Sequence, residues 1–134
     1  MTETGLTSKR LEARPRPRGR PILVVDDDPT VRNLVSDLLR DAGYDPLPAA
    51  DGEEALRLIE DTRPVLVLLD IQMPNLDGAS FARELRMRLR QIPVIVVTGV
   101  ARPDRAADDA NAVACLPKPF DNAALIRLVR RFAR

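Results

Sequence analysis

Three short, uninterrupted apolar runs constrain this chain more than any other feature: ILVV (22–25), VLVLL (65–69) and VIVV (94–97). A strand with one wet face alternates apolar and polar residues. A run without alternation, rich in β-branched residues, is a strand covered on both faces. None is long enough to cross a bilayer. Two weaker strands, YDPLPA (44–49) and AVACL (112–116), complete a set of five. Pro46 and Pro48 cannot donate ladder hydrogen bonds, so the second strand is expected at a sheet edge.

Helical spacing fills the intervals. Residues 29–42 carry Val31, Leu34, Val35, Leu38 and Ala42 as an inward stripe, with Pro29 suited to the first turn and Gly43 to the stop. Residues 52–61 follow, then 78–90 with Phe81, Leu85 and Leu89 on one side. Residues 103–110 offer only Ala106, Ala107 and Ala110 to a core, and this helix is expected to be the least firmly anchored. The last helix, 121–133, has Asp121 as its cap and turns Leu125, Leu128, Val129 and Phe132 inward. Five strands, each followed by a helix, make one doubly wound α/β domain with right-handed crossovers.

The 134 residues suit one hydrophobic core, here assigned to residues 21–134. Residues 1–20 hold six basic and two acidic side chains, hence +4, whereas the remainder holds fifteen and eighteen, hence −3. This Arg/Pro-rich opening has little apolar content and is expected to be a disordered, solubilising tail. No aromatic residue is interleaved with its arginines, so it is no base-stacking platform. It contains no apolar block that could serve as a secretory signal. The single cysteine, Cys115, rules out an internal disulfide and suits the cytoplasm. With no histidine in the chain, any chemistry must use carboxylates, hydroxyls and lysine.

In open α/β sheets, ligands bind beyond the carboxyl ends of the strands. Polar residues fall there four times: Asp26, Asp27 and Asp28 after ILVV, Asp70 after VLVLL, Thr98 after VIVV, and Lys118 after AVACLP. Three consecutive carboxylates repel unless a cation sits among them. Oxygen-only ligation favours Mg²⁺, with Mn²⁺ as a substitute. Such an ion would offset the repulsion and neutralise a phosphoryl group attacked by Asp70, leaving Thr98 and Lys118 to hold free phosphoryl oxygens. Asp28, directly before Pro29, reads as the cap of the first helix rather than a ligand.

With VVDD (24–27), LLDIQMPNLDG (68–78), PVIVVTG (93–99) and LPKPF (116–120) in order, the chain resembles the receiver domain of bacterial two-component response regulators. The resemblance covers Pro21–Arg134. It implies a flavodoxin-like five-stranded parallel sheet, order 2-1-3-4-5, flanked by five helices. It implies that Asp70 takes a phosphoryl group from a histidine kinase or histidine phosphotransfer protein. Asp27 would ligate Mg²⁺ directly, Asp26 through water, and Gln72 through its backbone carbonyl. Lys118 would pair with the phosphoryl group, Thr98 would move to bind it, and Gly99 would leave its path open. The family also implies a cis bond at Lys118–Pro119, and kinase docking on the first helix near Val31 and Leu34. The chain departs from the family at Cys115, where an aromatic residue usually stands, and in a slightly short interval between Thr98 and Lys118. Both departures bear on the usual output surface and not on phosphorylation.

The expectation is therefore a single-domain cytoplasmic regulator, monomeric or weakly dimeric, that catalyses only its own phosphorylation and dephosphorylation. With no DNA-binding domain, it would signal through a protein contact or onward phosphotransfer. Two rivals compete. DDDPT (26–30) also fits haloacid-dehalogenase-type phosphohydrolases, with Asp26 as nucleophile and Asp28 as general acid. That reading lacks the acidic pair such enzymes need after the lysine, and it leaves LLDIQMPNLDG unused. The other rival is a receiver-like binding module that is never phosphorylated.

Overall fold

A computed structural model describes residues 19–71, 81, 83–84, 92–99 and 112–133. Five strands occur in it: β1 (Pro21–Val25), β2 (Asp45–Ala49), β3 (Leu66–Leu69), β4 (Val94–Thr98) and β5 (Ala114–Pro117). They pair in parallel in the order β2-β1-β3-β4-β5. Pro46 and Pro48 thus lie on an edge strand, as their missing N–H groups require.

Among the described residues, three complete helices accompany the sheet: α1 (Pro29–Asp41), α2 (Gly52–Thr62) and α3 (Asn122–Phe132). Of the expected helix 78–90, residues 81, 83 and 84 are described and helical, and Phe81 is buried. Leu85, Leu89 and the expected helix 103–110 lie outside the described residues, as do residues 1–18 of the expected tail.

Side chains along each strand alternate between two cores, as the two-residue strand period demands. Ile22, Val24, Leu66, Leu68, Ile95, Val97 and Leu116 pack with Val35 and Leu39 of α1 and with Leu125 and Val129 of α3. Leu23, Val25, Val67, Leu69 and Val94 pack on the opposite face with Ala55 and Ile59 of α2 and with Phe81. Two faces are covered, which is why the strands read as unbroken apolar runs.

The expected inward stripe of α1 needs one correction. Val35 is buried and Val31 and Leu38 pack on the core as expected, but Leu34 is 43% exposed and Ser36 and Leu39 are buried in addition. Leu34–Val35 and Leu38–Leu39 are adjacent apolar pairs, so the sequence contains two overlapping rows, and packing on β1 and β3 selects the row through Val35 and Leu39.

The helices begin on carboxylate caps. Asp28 Oδ1 accepts the Thr30 N–H at 2.9 Å, with Pro29 in the first turn. Asp51 Oδ1 accepts the Glu54 N–H, and Glu54 Oε1 accepts the Ala50 N–H, both at 2.8 Å, forming a reciprocal capping box. Asp121 Oδ1 accepts the Ala123 N–H at 3.4 Å. After α1, Gly43 takes φ +95°, a left-handed conformation that suits glycine and turns the chain into β2. No helix among the described residues is long and apolar enough to cross a membrane.

Candidate functional site

The strand register brings the polar residues together before any side chain is considered. Val25 lies opposite Leu69, Leu69 opposite Val96, and Thr98 opposite Pro117. The ladder continues past the strand ends: Asp26 N–H donates to Ala49 O at 3.1 Å, Asp70 N–H to Val25 O at 3.0 Å, and Lys118 N–H to Thr98 O at 2.9 Å. Residues 26, 70, 98 and 118 therefore occupy one rim of the sheet.

Alternation then decides direction. Asp26, Asp70 and Lys118 each follow by two residues a member of the α1/α3 core, namely Val24, Leu68 and Leu116. All three side chains converge. Lys118 Nζ donates to Asp26 Oδ2 at 2.9 Å and to Asp70 Oδ2 at 3.2 Å. Thr98 follows Val94 and Val96 in the other register and is wholly buried. Its hydroxyl has no hydrogen-bond partner among the described residues. Gly99 beside it is exposed, and the Lys118–Pro119 peptide is cis, in line with the sequence expectation.

The electrostatics follow from this packing. The floor of the hollow is apolar, lined by Val24, Val31, Val35, Leu68 and Val97. Burial against it raises the Asp26 pKa, and the Asp28 N–H and the Lys118 ammonium offset this only in part. Burial also opposes the charge on Lys118, but the hydrogen bond and charge of Asp26, reinforced by Asp70, prevail and hold its pKa above the usual value.

The carboxylates of Asp26, Asp27 and Asp70 each offer an oxygen lying within 4.8 Å of the others, with Asp27 exposed at the mouth. Three hard anionic oxygens at that spacing fit a small divalent cation such as Mg²⁺ or Mn²⁺. Gln72, the expected carbonyl ligand, lies outside the described residues. Asp28 is engaged as the α1 cap, as read from its place before Pro29.

Sequence reasoning missed Arg32. Its Nη1 donates to the backbone carbonyl of Asp26 at 2.7 Å. One signal could have found it: helical side chains lean towards the helix N-terminus, so a long residue in the first turns of α1 reaches back over the preceding loop.

A profile of the response regulator receiver domain family matches residues 22–130. Response regulator MprA from Mycobacterium sp. (strain KMS) is 42% identical over 120 residues, covering 84% of this chain and 50% of MprA. The chain thus spans about half the length of this curated relative. Among solved structures, chemotaxis protein CheY4 of Vibrio cholerae shares a TM-score of 0.79 at 31% identity, covering 85% of this chain and 98% of that one. Response regulator TrrA of Thermotoga maritima, solved in complex with Mg(2+)-BeF, gives a TM-score of 0.75 at 33% identity, covering 84% and 98%. Fold and rim together define a receiver domain. The chain belongs to the response regulator receiver domain family.

Proposed function

We infer that this protein is a phosphoacceptor switch of a two-component system, and that Asp70 is the acceptor. The observation that carries the reading is the meeting of Asp26, Asp70 and Lys118 at one rim, with two ion pairs of 2.9 and 3.2 Å from a single ammonium. In the proposed transfer, a carboxylate oxygen of Asp70 attacks the phosphorus of a phosphohistidine. The phosphorus–nitrogen bond breaks, an acyl phosphate forms on Asp70, and the donor imidazole leaves with the bonding pair and takes up a proton.

Bound at Asp26, Asp27 and Asp70, with the Gln72 carbonyl completing its shell, Mg²⁺ would neutralise charge on the transferring group. The TrrA complex with Mg(2+)-BeF supports this assignment. Lys118 already points at Asp70 and would hold a phosphoryl oxygen that the metal leaves free. Thr98 carries a buried hydroxyl without a partner among the described residues, and a phosphoryl oxygen would give it one. Drawing Thr98 towards Asp70 would bias a two-state equilibrium in β4 and β5, and Gly99 keeps the approach open.

A sensor histidine kinase or phosphotransfer protein in the cytoplasm is the proposed donor. Leu34, exposed on α1, with Val31 nearby, supplies an apolar docking point. Output would pass to a downstream protein by contact or onward transfer, with no turnover of an external substrate. The phosphohydrolase alternative loses support because the Asp28 carboxylate serves the α1 cap and not the hollow. Intact-mass measurement after acetyl phosphate plus Mg²⁺ tests the reading. One phosphoryl gain is expected, and none in Asp70→Asn. A gain that persists in that variant overturns it.

A further inference from the structure

Arg32 stands beside three aspartates, and charge alone would send its guanidinium to a carboxylate. It makes no ion pair among the described residues and instead donates to a neutral oxygen, the carbonyl of Asp26, at 2.7 Å. That carbonyl belongs to the peptide joining Asp26 to Asp27.

The two aspartates are held very differently. The buried Asp26 carboxylate accepts from the Asp28 N–H at 2.9 Å and from Lys118 at 2.9 Å. Asp27 is exposed, and its carboxylate has no hydrogen-bond partner among the described residues. Its direction is therefore set by the backbone that carries it. The Asp26–Asp27 peptide is fixed by Arg32 on its oxygen, while the Asp28 N–H held on Asp26 Oδ1 fixes the next turn of the loop.

We propose that Arg32 is a positioning residue, clamping the peptide between Asp26 and Asp27 so that the Asp27 carboxylate faces the hollow it shares with Asp26 and Asp70. The inference rests on the divalent-cation reading of that hollow. It makes Arg32 a support one step removed from the ligands, the kind of group whose loss weakens metal binding without touching the ion.

The sign of the effect separates this role from simple charge. A guanidinium near a cation site repels the cation, so removing it should tighten binding if charge were all that mattered. Removing a clamp should loosen binding. Mn²⁺ affinity of the full chain, read by electron paramagnetic resonance of the free ion, distinguishes the two.

Arg32→Met is expected to weaken Mn²⁺ binding by about tenfold. Arg32→Lys keeps the charge but not the planar reach and should also bind more weakly than the wild type, and it serves as the readout if Arg32→Met does not fold. Asp27→Asn should weaken binding on its own. In that background Arg32→Met should add less than about a twofold loss, since the carboxylate it serves is gone. Wild-type affinity, or tighter binding, in both Arg32 variants overturns the positioning role, as does a loss undiminished by Asp27→Asn. Binding that ignores both Asp27→Asn and Asp70→Asn overturns the cation reading itself, and the role of Arg32 with it.

Discussion

The ammonium of Lys118 lies 2.9 Å from Oδ2 of Asp26, a residue 92 positions earlier in the chain, and the same nitrogen reaches Asp70. Lysine thus supplies the positive charge that two buried carboxylates need. Lys118→Met leaves both without it. In metal-free buffer the variant is expected to lose about 1–3 kcal/mol of stability by urea denaturation, because the charged groups stay buried and lose a donor. Phosphoryl uptake from acetyl phosphate should slow by about a hundredfold for want of a cation on the transferring oxygens. Wild-type stability and rate together would show that the lysine merely rests there.

The same pair sets the alkaline limit of stability. Lys118 has a folded pKa above its usual 10.5, so it binds its proton more tightly when folded. Its contribution is fully present below pH 10.5 and is lost as pH rises through the folded value. Lys9 is the only other lysine, and arginine stays charged, so the effect is assignable to Lys118. With EDTA present, the gap in urea midpoint between wild type and Lys118→Met should close as pH climbs beyond 10.5. A gap that stays constant contradicts the assignment.

Asp26 follows the same sign of linkage in a far more acidic range. Burial raises its folded pKa above 3.8, so the folded state keeps a proton that the unfolded state releases. Stability then falls as pH rises from 3.8 through the folded value. Asp26→Asn removes that ionisation and keeps one oxygen for the Asp28 N–H that now sits on Oδ1, while the Lys118 bond to Oδ2 is lost and the ammonium keeps Asp70. In metal-free buffer its unfolding free energy should gain on the wild type across this interval and hold the gain at neutrality, while divalent binding weakens. Denaturant titrations at several pH values would read this, and a gain that grows towards acid would refute it.

Thr98 offers a separation of fold from signal. Its hydroxyl is fully buried and without a partner among the described residues, so an isosteric methyl should cost nothing. Thr98→Val is expected to be as stable as wild type, or more stable by up to about 1 kcal/mol. It should still accept a phosphoryl group on Asp70. Hydrogen exchange in β4 and β5 should change on phosphorylation of the wild type and stay unchanged in the variant.

Much of this rim was legible because strand chemistry is local. The unbroken runs announced covered strands, and the first polar residue after each run marked the rim. The two-residue period even indicates which side chains converge: Asp26, Asp70 and Lys118 continue the parity of Val24, Leu68 and Leu116. Strand order was another matter. Composition and periodicity leave it open, and it came through the family resemblance. Arg32 escaped because its acceptor is a backbone oxygen, which no residue type advertises. The rotation of α1 escaped because adjacent Leu38 and Leu39 satisfy two apolar rows equally, and only packing on β1 and β3 chooses between them.

That rotation exposes a further weakness in α1. Choosing the row through Val35 and Leu39 buries Ser36, whose hydroxyl has no partner among the described residues. A serine inside a helix is already less favourable than alanine by a few tenths of a kcal/mol. Burying its hydroxyl unpaired adds the cost of stripping it from water. Both terms vanish in Ser36→Ala, which removes one atom and asks nothing new of the packing. The variant is expected to gain about 1 kcal/mol and raise the melting temperature by roughly 4 °C. Asp28 caps this helix and Arg32 lies in its first turns towards the rim, so phosphoryl uptake should be unchanged if α1 is merely firmer and not displaced. A fall in melting temperature would mean the hydroxyl does find an acceptor, and a fall in phosphoryl uptake would mean that the looseness of α1 serves the chemistry at Asp70.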